Sequence, residues 1–453
     1  MFKREASKFI KSQSADASFA GAALKVINNK RLSQLEDQER RIRQLEKLVL
    51  QKQDDIEGYG AIAFGTESPA IVAETLPLVK SDSRRNGPRP SLLHAYLHLI
   101  TSSYVNVLLL TMPFAIWSYL AEWGDIPVFI LNFLTMMPLA NILGESTEAL
   151  AFHAGDTIGG LVNATFGNAV EVIIAIFALK KGEVALVQSS LIGSMLSNML
   201  LVLGSCFVAG YFGGAKESSF SGQGASINMS LLFVSSFTML VPSYYQYTKA
   251  MDSDEEVSIL GLSHVSALFL IIMYVLLMVY QLVTHRAEEQ DKEEEEEPEL
   301  SLAGSIGSLL FATLLVSVIS EFLVSSVDGF TQTANIPKSF VGIILLPIVG
   351  NAVEHVTAVK VALKNNMELA MSVAIGSATQ ISLFVVPVCV VAGWIMNSPM
   401  SLAFNAFEAI TYVIGTIIVY VIVADGKSNW LEGAMLIILY CLVGVALLEI
   451  DIN

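Results

Sequence analysis

Beyond position 91 the chain alternates between long apolar runs and short polar breaks. Eleven runs approach or exceed the roughly 20 residues that cross a bilayer as a helix. They cover 96–120, 126–151, 158–179, 184–212, 226–242, 259–283, 301–327, 339–363, 369–396, 403–424 and 430–449. The fifth is short and is expected to end at Pro242. The pattern predicts an all-α polytopic membrane protein with about eleven transmembrane helices. The longest polar break, "HRAEEQDKEEEEEPEL", separates the sixth run from the seventh. It divides the chain into a tail at 1–91, six spans at 92–284, an acidic segment at 285–300 and five spans at 301–453.

The tail is different in kind. Leu35, Ile42, Val49 and Ile56 recur every seven residues, as in a short amphipathic helix. Gln38 and Lys52 occupy two of the positions a coiled-coil seam would fill with apolar groups, so the plain reading is a solvated helix.

Composition agrees with the pattern. The 453 residues are 53% hydrophobic and 15% charged, with mean hydropathy +0.60; a soluble chain carries nearer a quarter charged residues. The net charge of −16 is unevenly spread. The first ninety residues hold 16 basic and 12 acidic side chains, and the remainder holds 10 and 30. An acidic membrane body points away from nucleic acid and toward cations. Cys206, Cys389 and Cys441 lie scattered in apolar runs and read as packing residues. The N-terminal sequence lacks the apolar core of a signal peptide. Arg84, Arg85 and Arg89 before the first span place the N-terminus in the cytosol by the positive-inside rule. The acidic segment then falls on the cytosolic side and the C-terminus on the lumenal side. "LKKGE" at 179–183 runs against the rule, because it falls on the lumenal side.

Two runs carry the same five letters. "FGNAVE" ends at Glu171 and "VGNAVE" at Glu354, with Gly167 and Gly350 183 positions apart. "IGSMLSN" at 192–198 matches "IGSATQI" at 375–381 at the same offset. Each pair occupies corresponding runs, three and eight, then four and nine. This is the mark of an internal duplication. The first run stands alone, and runs 2–6 and 7–11 form two sets of five. Five is odd, so the second copy enters the membrane from the opposite face. Inverted repeats of this type place a binding site near the midplane, where the repeats meet.

A carboxylate inside a membrane is expensive unless it pairs, takes a proton or binds a cation. Glu171 and Glu354 have no basic neighbour in sequence. Facing each other they would repel, and either a divalent cation or protons would relieve that. Asn168 and Asn351 lie one turn before them on the same helix face. Gly167 and Gly350 loosen the turn, and Pro347 removes a backbone donor, which frees carbonyl oxygens for an ion. Carboxylate, amide, hydroxyl and carbonyl oxygens suit Ca²⁺, with Mn²⁺ as the alternative. The predicted ligands are Glu171, Glu354, Asn168, Asn351, Gly167 and Gly350.

Ser194, Ser197, Ser377 and Gln380 are candidate oxygen donors from runs four and nine, though such groups often only tie helices together. His355, opposite Val172 in the other copy, is a candidate proton relay or hydrogen-bond partner. Glu148 and Glu321 are candidate acids along the ion or proton path, and Glu145 and Asp328 are weaker ones. Glu288, Glu289, Asp291, Glu293, Glu294, Glu295, Glu296, Glu297 and Glu299 form either a solvated linker or a cation-gathering mouth. An intramembrane zinc protease is disfavoured, because the residue four after His355 is Val359 and not a second histidine. No nucleophile elbow is present in the sequence, so no enzyme is expected.

These residues resemble the Ca²⁺/H⁺ exchanger family of the cation/Ca²⁺ exchanger superfamily, especially its fungal vacuolar members. The resemblance rests on the two GNAVE motifs, the glycine–serine spans after them, the acidic segment and "SNWLEG" at 428–433, and covers about 92–450. It implies eleven helices and uptake of cytosolic Ca²⁺ into the vacuole against protons, with no cofactor. It further implies Ca²⁺ binding by Glu171 and Glu354, and family positions at His355, Glu148 and 288–299. A Mn²⁺/H⁺ or Na⁺/Ca²⁺-type exchanger is the alternative.

Overall fold

A computed structural model describes residues 92–249, 255–284 and 300–449. The tail helix at 35–56 and the acidic segment at 288–299 lie outside the described residues. The described chain is almost wholly helical. Eight helices are individually long and apolar enough to cross a membrane, and three bent pairs raise the number to eleven. The protein is therefore an all-α polytopic membrane protein, as its pattern predicts.

Span 1 is Tyr104–Leu120, set at 95° to a preceding helix, Leu92–Thr101. The expected continuous run 96–120 is thus broken. The cause is local polar chemistry. Ser103 accepts from the Val105 amide, and the buried Asn106 donates to Leu99 O at 3.0 Å, which lets the chain turn without stranding backbone groups. Span 2 is Asp125–Ala154, and span 3 is the pair Asp156–Phe166 and Ala169–Lys180. Span 4 runs Val184–Phe212, span 5 Gly222–Lys249 and span 6 Glu255–Val279 with a π turn to Thr284. Pro242 lies inside span 5 instead of ending it; packed neighbours make such a proline tolerable in a membrane helix.

The second set is span 7, Leu302–Ala334, and span 8, a bent pair of Lys338–Gly350 and Ala352–Leu363. Span 9, Met367–Ile395, span 10, Ala406–Val423, and span 11, Trp430–Glu449, complete it. Helix packing repeats between the sets. Span 2 lies along span 7 and span 5 along span 10, while span 4 packs on span 11 as span 9 packs on span 6. That exchange is what an inverted duplication produces.

Spans 4 and 9 form the centre. Their most apolar windows are 83% and 67% buried, against 28–50% for the other unbroken spans. A helix apolar on all sides buries all sides. Both contain a π turn just after their glycine–serine motif, at Ser197–Val202 and Ile381–Val385. Such turns frequently mark functional sites. Cys206 and Cys389 are buried and unpaired, and Cys441 is exposed and unpaired.

Two faces can be told apart. On the first, the Asn365 amide donates to Gly213 O at 2.9 Å, and Ser218–Ser219 pairs antiparallel with Lys427–Ser428. On the second, Lys338 bridges Glu183 at 2.8 Å and also Asp328, and Gln188 donates to the Ser401 and Ala403 carbonyls.

Candidate functional site

Both GNAVE segments break their spans. Span 3 bends by 42° between Phe166 and Ala169, and span 8 by 60° between Gly350 and Ala352. Asn168 and Asn351 stand at the breaks, and Glu171 and Glu354 fall in the first turn of each second half-helix. That placement has an electrostatic consequence. The free N–H groups of a helix start favour a negative charge, whereas the carbonyls ending the preceding half-helix favour a cation. The glycine–asparagine step thus sets opposite helix ends beside each glutamate.

The two breaks meet between the repeats. A Cβ placed on Gly350 would stand 2.6 Å from Glu171 Oε1, so only glycine lets that carboxylate approach the second motif. Asn351 donates through Nδ2 to Ser194 O at 3.1 Å, and Asn168 donates to Gln380 Oε1 at 2.9 Å. Asn198 donates to Ser377 Oγ at 2.9 Å. All three bonds cross from one repeat to the other. They engage the amide nitrogens of all three asparagines. Glu171 Oε2, Glu354 Oε2, Asn351 Oδ1 and Asn198 Oδ1 are buried with no hydrogen-bond partner. Leaving such atoms unpaired is costly, and a hard cation is one species that satisfies several oxygens at once. Among the described residues, no three His, Cys, Asp or Glu side chains cluster as metal ligands. The donor set is two carboxylates with amides, which suits oxygen-seeking ions better than nitrogen- or sulfur-seeking ones.

A cavity of about 280 Å³ reaches this point from the first face. It is lined by Glu148, Asn163, Asn168, Glu354, Ser372 and Gln380, with Gly167, Gly350, Thr357 and Ser377. Beyond Glu171, toward the second face, a cavity of about 20 Å³ lies between Ser190, Ser194 and Leu346. The two acids therefore look in different directions. Glu354 lines the larger cavity, and Glu171, 9% exposed, lines the smaller.

The sequence candidates divide accordingly. Both glutamates, both asparagines, both glycines, Ser194, Ser377, Gln380 and Glu148 are brought together. Ser197 lines neither cavity, although it is buried at the start of the span 4 π turn. His355 follows Glu354 but lines neither cavity. Glu321 is exposed on span 7, away from both. Glu148, on the first span of the other set, lines the larger cavity; at the 183-residue offset it faces Thr331 and not Glu321. Glu145 accepts from Ser102 at 2.6 Å and from Asn141 at 2.8 Å beside the bend before span 1.

Asn198, Asn163, Thr357 and Ser372 were not anticipated. Asn198 lies inside "IGSMLSN", but its counterpart is Ile381, so matching the copies passes over it. Asn163 pairs with Leu346 and is missed in the same way.

Comparison with known proteins follows this geometry. A family model described as sodium/calcium exchanger protein matches residues 125–283 and 304–448. The vacuolar calcium ion transporter of Schizosaccharomyces pombe is 41% identical over 77% of this chain and 85% of its own length. The Ca²⁺/H⁺ antiporter of Aphanothece halophytica is 40% identical over 75% of this chain and 94% of its own. The solved structure of native YfkE, a Ca²⁺/H⁺ antiporter protein, is 32% identical and superposes with a TM-score of 0.67, covering 76% of this chain and 100% of that one.

Proposed function

The chain belongs to the sodium/calcium exchanger protein family, and within it we propose a secondary antiporter that exchanges cytosolic Ca²⁺ for vacuolar H⁺. Glu171 and Glu354 are the groups that hold the ion and the protons in turn. The observation that carries this reading is the meeting of the two motifs, with Glu171 Oε1 against Gly350 and buried, unpaired oxygens from both repeats around it. The names of the relatives support the choice of ions.

The mechanism follows from charge. Two carboxylates in a low-dielectric site repel unless a divalent cation or protons neutralise them. The charge-balanced states are one Ca²⁺ on two carboxylates, or two protons on the same pair. The basic residues before span 1 assign the N-terminus, and with it the first face, to the cytosol. The larger cavity then admits Ca²⁺ from the cytosol to deprotonated Glu354 and Glu171. Opening of the second face exposes the ion to the acidic lumen, where protons displace it. Asn168 and Asn351 position the breaks, and Asn198 and Ser377 hold spans 4 and 9 across the site. In this reading Glu148 sits on the cytosolic approach.

The experiment is uptake into proteoliposomes driven by an acid interior. Glu171→Gln and Glu354→Gln are each expected to abolish uptake, and normal uptake by both would overturn the reading. Replacing the proton gradient with a sodium gradient is expected to give none, and Mn²⁺ is expected to compete less well than Ca²⁺.

A further inference from the structure

Glu171 shares one property with a residue that the exchange site does not use. Among the described residues the least exposed acidic residues are Glu171 and Glu408. Glu408, in the first turn of span 10, is the more enclosed, at 3% exposed. Its polar neighbours are the Ser189 hydroxyl, which donates to Oε1 at 2.5 Å, and the Asn405 backbone N–H. No cation reaches it among the described residues.

Ser189 sits at a junction of three helices. A Cβ on Gly342 of span 8 would stand 2.5 Å from Ser189 Cβ. One turn along span 4, a Cβ on Gly193 would stand 2.5 Å from both Ile343 Cα and Ile343 O. Spans 4 and 8 are thus in backbone contact on the second-face side of Glu171. This is the seam beside the cavity of about 20 Å³. For the site to reach the second face this seam must part. Glu408 holds the outer side of the same serine.

Charged and titratable groups facing this point are few. Span 4 contributes Glu183 at its start, and span 8 contributes Lys338, which bridges Glu183 and Asp328 of span 7. At the depth of Glu408, span 5 presents Met239 and Ser243, placed by the Ser235–Tyr412 and Ser243–Phe404 bonds. Tyr244, Tyr245 and Tyr247 follow toward the second face, and span 11 carries Tyr440, Cys441 and Glu449 on that half. The loop at 396–405 has no ionisable side chain.

The duplication supplies a control. The counterpart of Ser189 is Ser372, and the counterpart of Glu408 is Ala225. There the seam is open: Ser372 lines both the large cavity and a neighbouring one of about 140 Å³ bordered by Ala225 and Asn228. A carboxyl at the Glu408 position is present in one copy only, and the acid that borders the neighbouring cavity on the other side, Glu368, comes from span 9 itself.

We propose that Glu408 is a proton-responsive positioning residue, whose protonation from the second face favours closure of the span 4–span 8 seam through Ser189. A charge with one hydroxyl and one amide for company is poorly tolerated at this depth. The closed seam therefore holds the neutral acid, while the parted seam admits water and tolerates the carboxylate. By linkage, acid on that face favours closure. On the reading of the exchange site given above, an acidic lumen would then speed the return of the proton-loaded carrier to the cytosolic side, beyond its effect on Glu171 and Glu354.

The test is Ca²⁺ uptake into proteoliposomes with the size of the pH gradient held constant while internal pH is raised. Glu408→Gln mimics the neutral acid. It is expected to match the native protein at acidic internal pH and to exceed it near neutrality. Its dependence on internal pH should be weaker by up to about tenfold per unit, the limit for one proton. Glu408→Asp should retain the native dependence. If Glu408→Gln is recovered unfolded, Ser189→Ala decides, since without the hydroxyl the profile should also flatten. Profiles that superimpose on the native one, or a folded Glu408→Gln inactive at every pH, would overturn the proposal. Failure of the exchange-site reading would look different, because it would appear as uptake surviving Glu171→Gln and Glu354→Gln.

Discussion

The two GNAVE helices share five residues and a break, yet their glutamates occupy different surroundings. Glu354 borders a cavity of about 280 Å³ and Glu171 one of about 20 Å³. Nothing in the shared letters accounts for this. The difference lies in the seams beside them, where spans 4 and 8 are in backbone contact and spans 9 and 3 leave room. A duplicated site with one side open and one closed is what alternating access between two equivalent arrangements requires. On the exchange reading proposed above, the inequality of the two halves belongs to the conformation as well as to residues present in one half only, such as Asn163 and Glu408.

The comparison can be broken most directly by accessibility. With Cys206, Cys389 and Cys441 replaced, a cysteine at Ser372 should react with a water-soluble maleimide at least about tenfold faster than one at Ser190, because a minor state is populated at roughly 10% or less. Equal rates would show that the two sides are not in fact unequal. A further rise of the ratio under acid on the second face, as closure through Glu408 requires, would sharpen the comparison.

Gly350→Ala comes next. Its Cβ would meet Glu171 Oε1 at 2.6 Å, whereas a Cβ on Gly167 meets the Asn163 carbonyl of its own helix at 2.6 Å. Overpacking of this kind costs about 1–3 kcal/mol, enough to raise KM for Ca²⁺ roughly tenfold in Gly350→Ala. Gly167→Ala should lower thermal stability instead, with less change in KM. Similar KM values for the two would argue against direct contact between the motifs. Asn198→Ala removes the bond to Ser377 and one unpaired oxygen. A loss of about 1 kcal/mol gives a roughly fivefold weaker apparent affinity. An unchanged KM would make Asn198 a packing residue. The smallest effect is expected at the second-face ion pairs. Lys338 is 37% exposed in its side chain, so Lys338→Ala should change stability by less than about 1 kcal/mol, read by thermal unfolding in detergent.

Much of this was legible in one dimension. Glu171 and Glu354 announced themselves as unpaired carboxylates in apolar runs, and the constant offset tied Ser194 to Ser377 without any coordinates. The helix breaks followed from glycine and proline chemistry. What matching the copies could not find were residues that exist in one copy only. Asn198 faces Ile381 in the alignment of the repeats, Asn163 faces Leu346, and Glu408 faces Ala225. Glu408 satisfied the same test as Glu171, an acid in an apolar run, but stood near the start of its span, where a charge ordinarily meets water. Glu321 is an acid in the same ordinal span as Glu148 but not in its register, and its side chain is exposed.

The sequence by itself determined the number of spans, their inversion and the identity of the paired acids. Each of these is a property of order along the chain: apolar length, an odd count, a repeated motif. Tertiary structure alone decided which oxygens remain unpaired, which side of the site is open and which single-copy polar groups reach it. Those depend on contacts between residues some 150 to 220 positions apart, such as Asn351 with Ser194 and Ser189 with Glu408. No local pattern encodes contacts of that range, because they follow from how the spans share one interior.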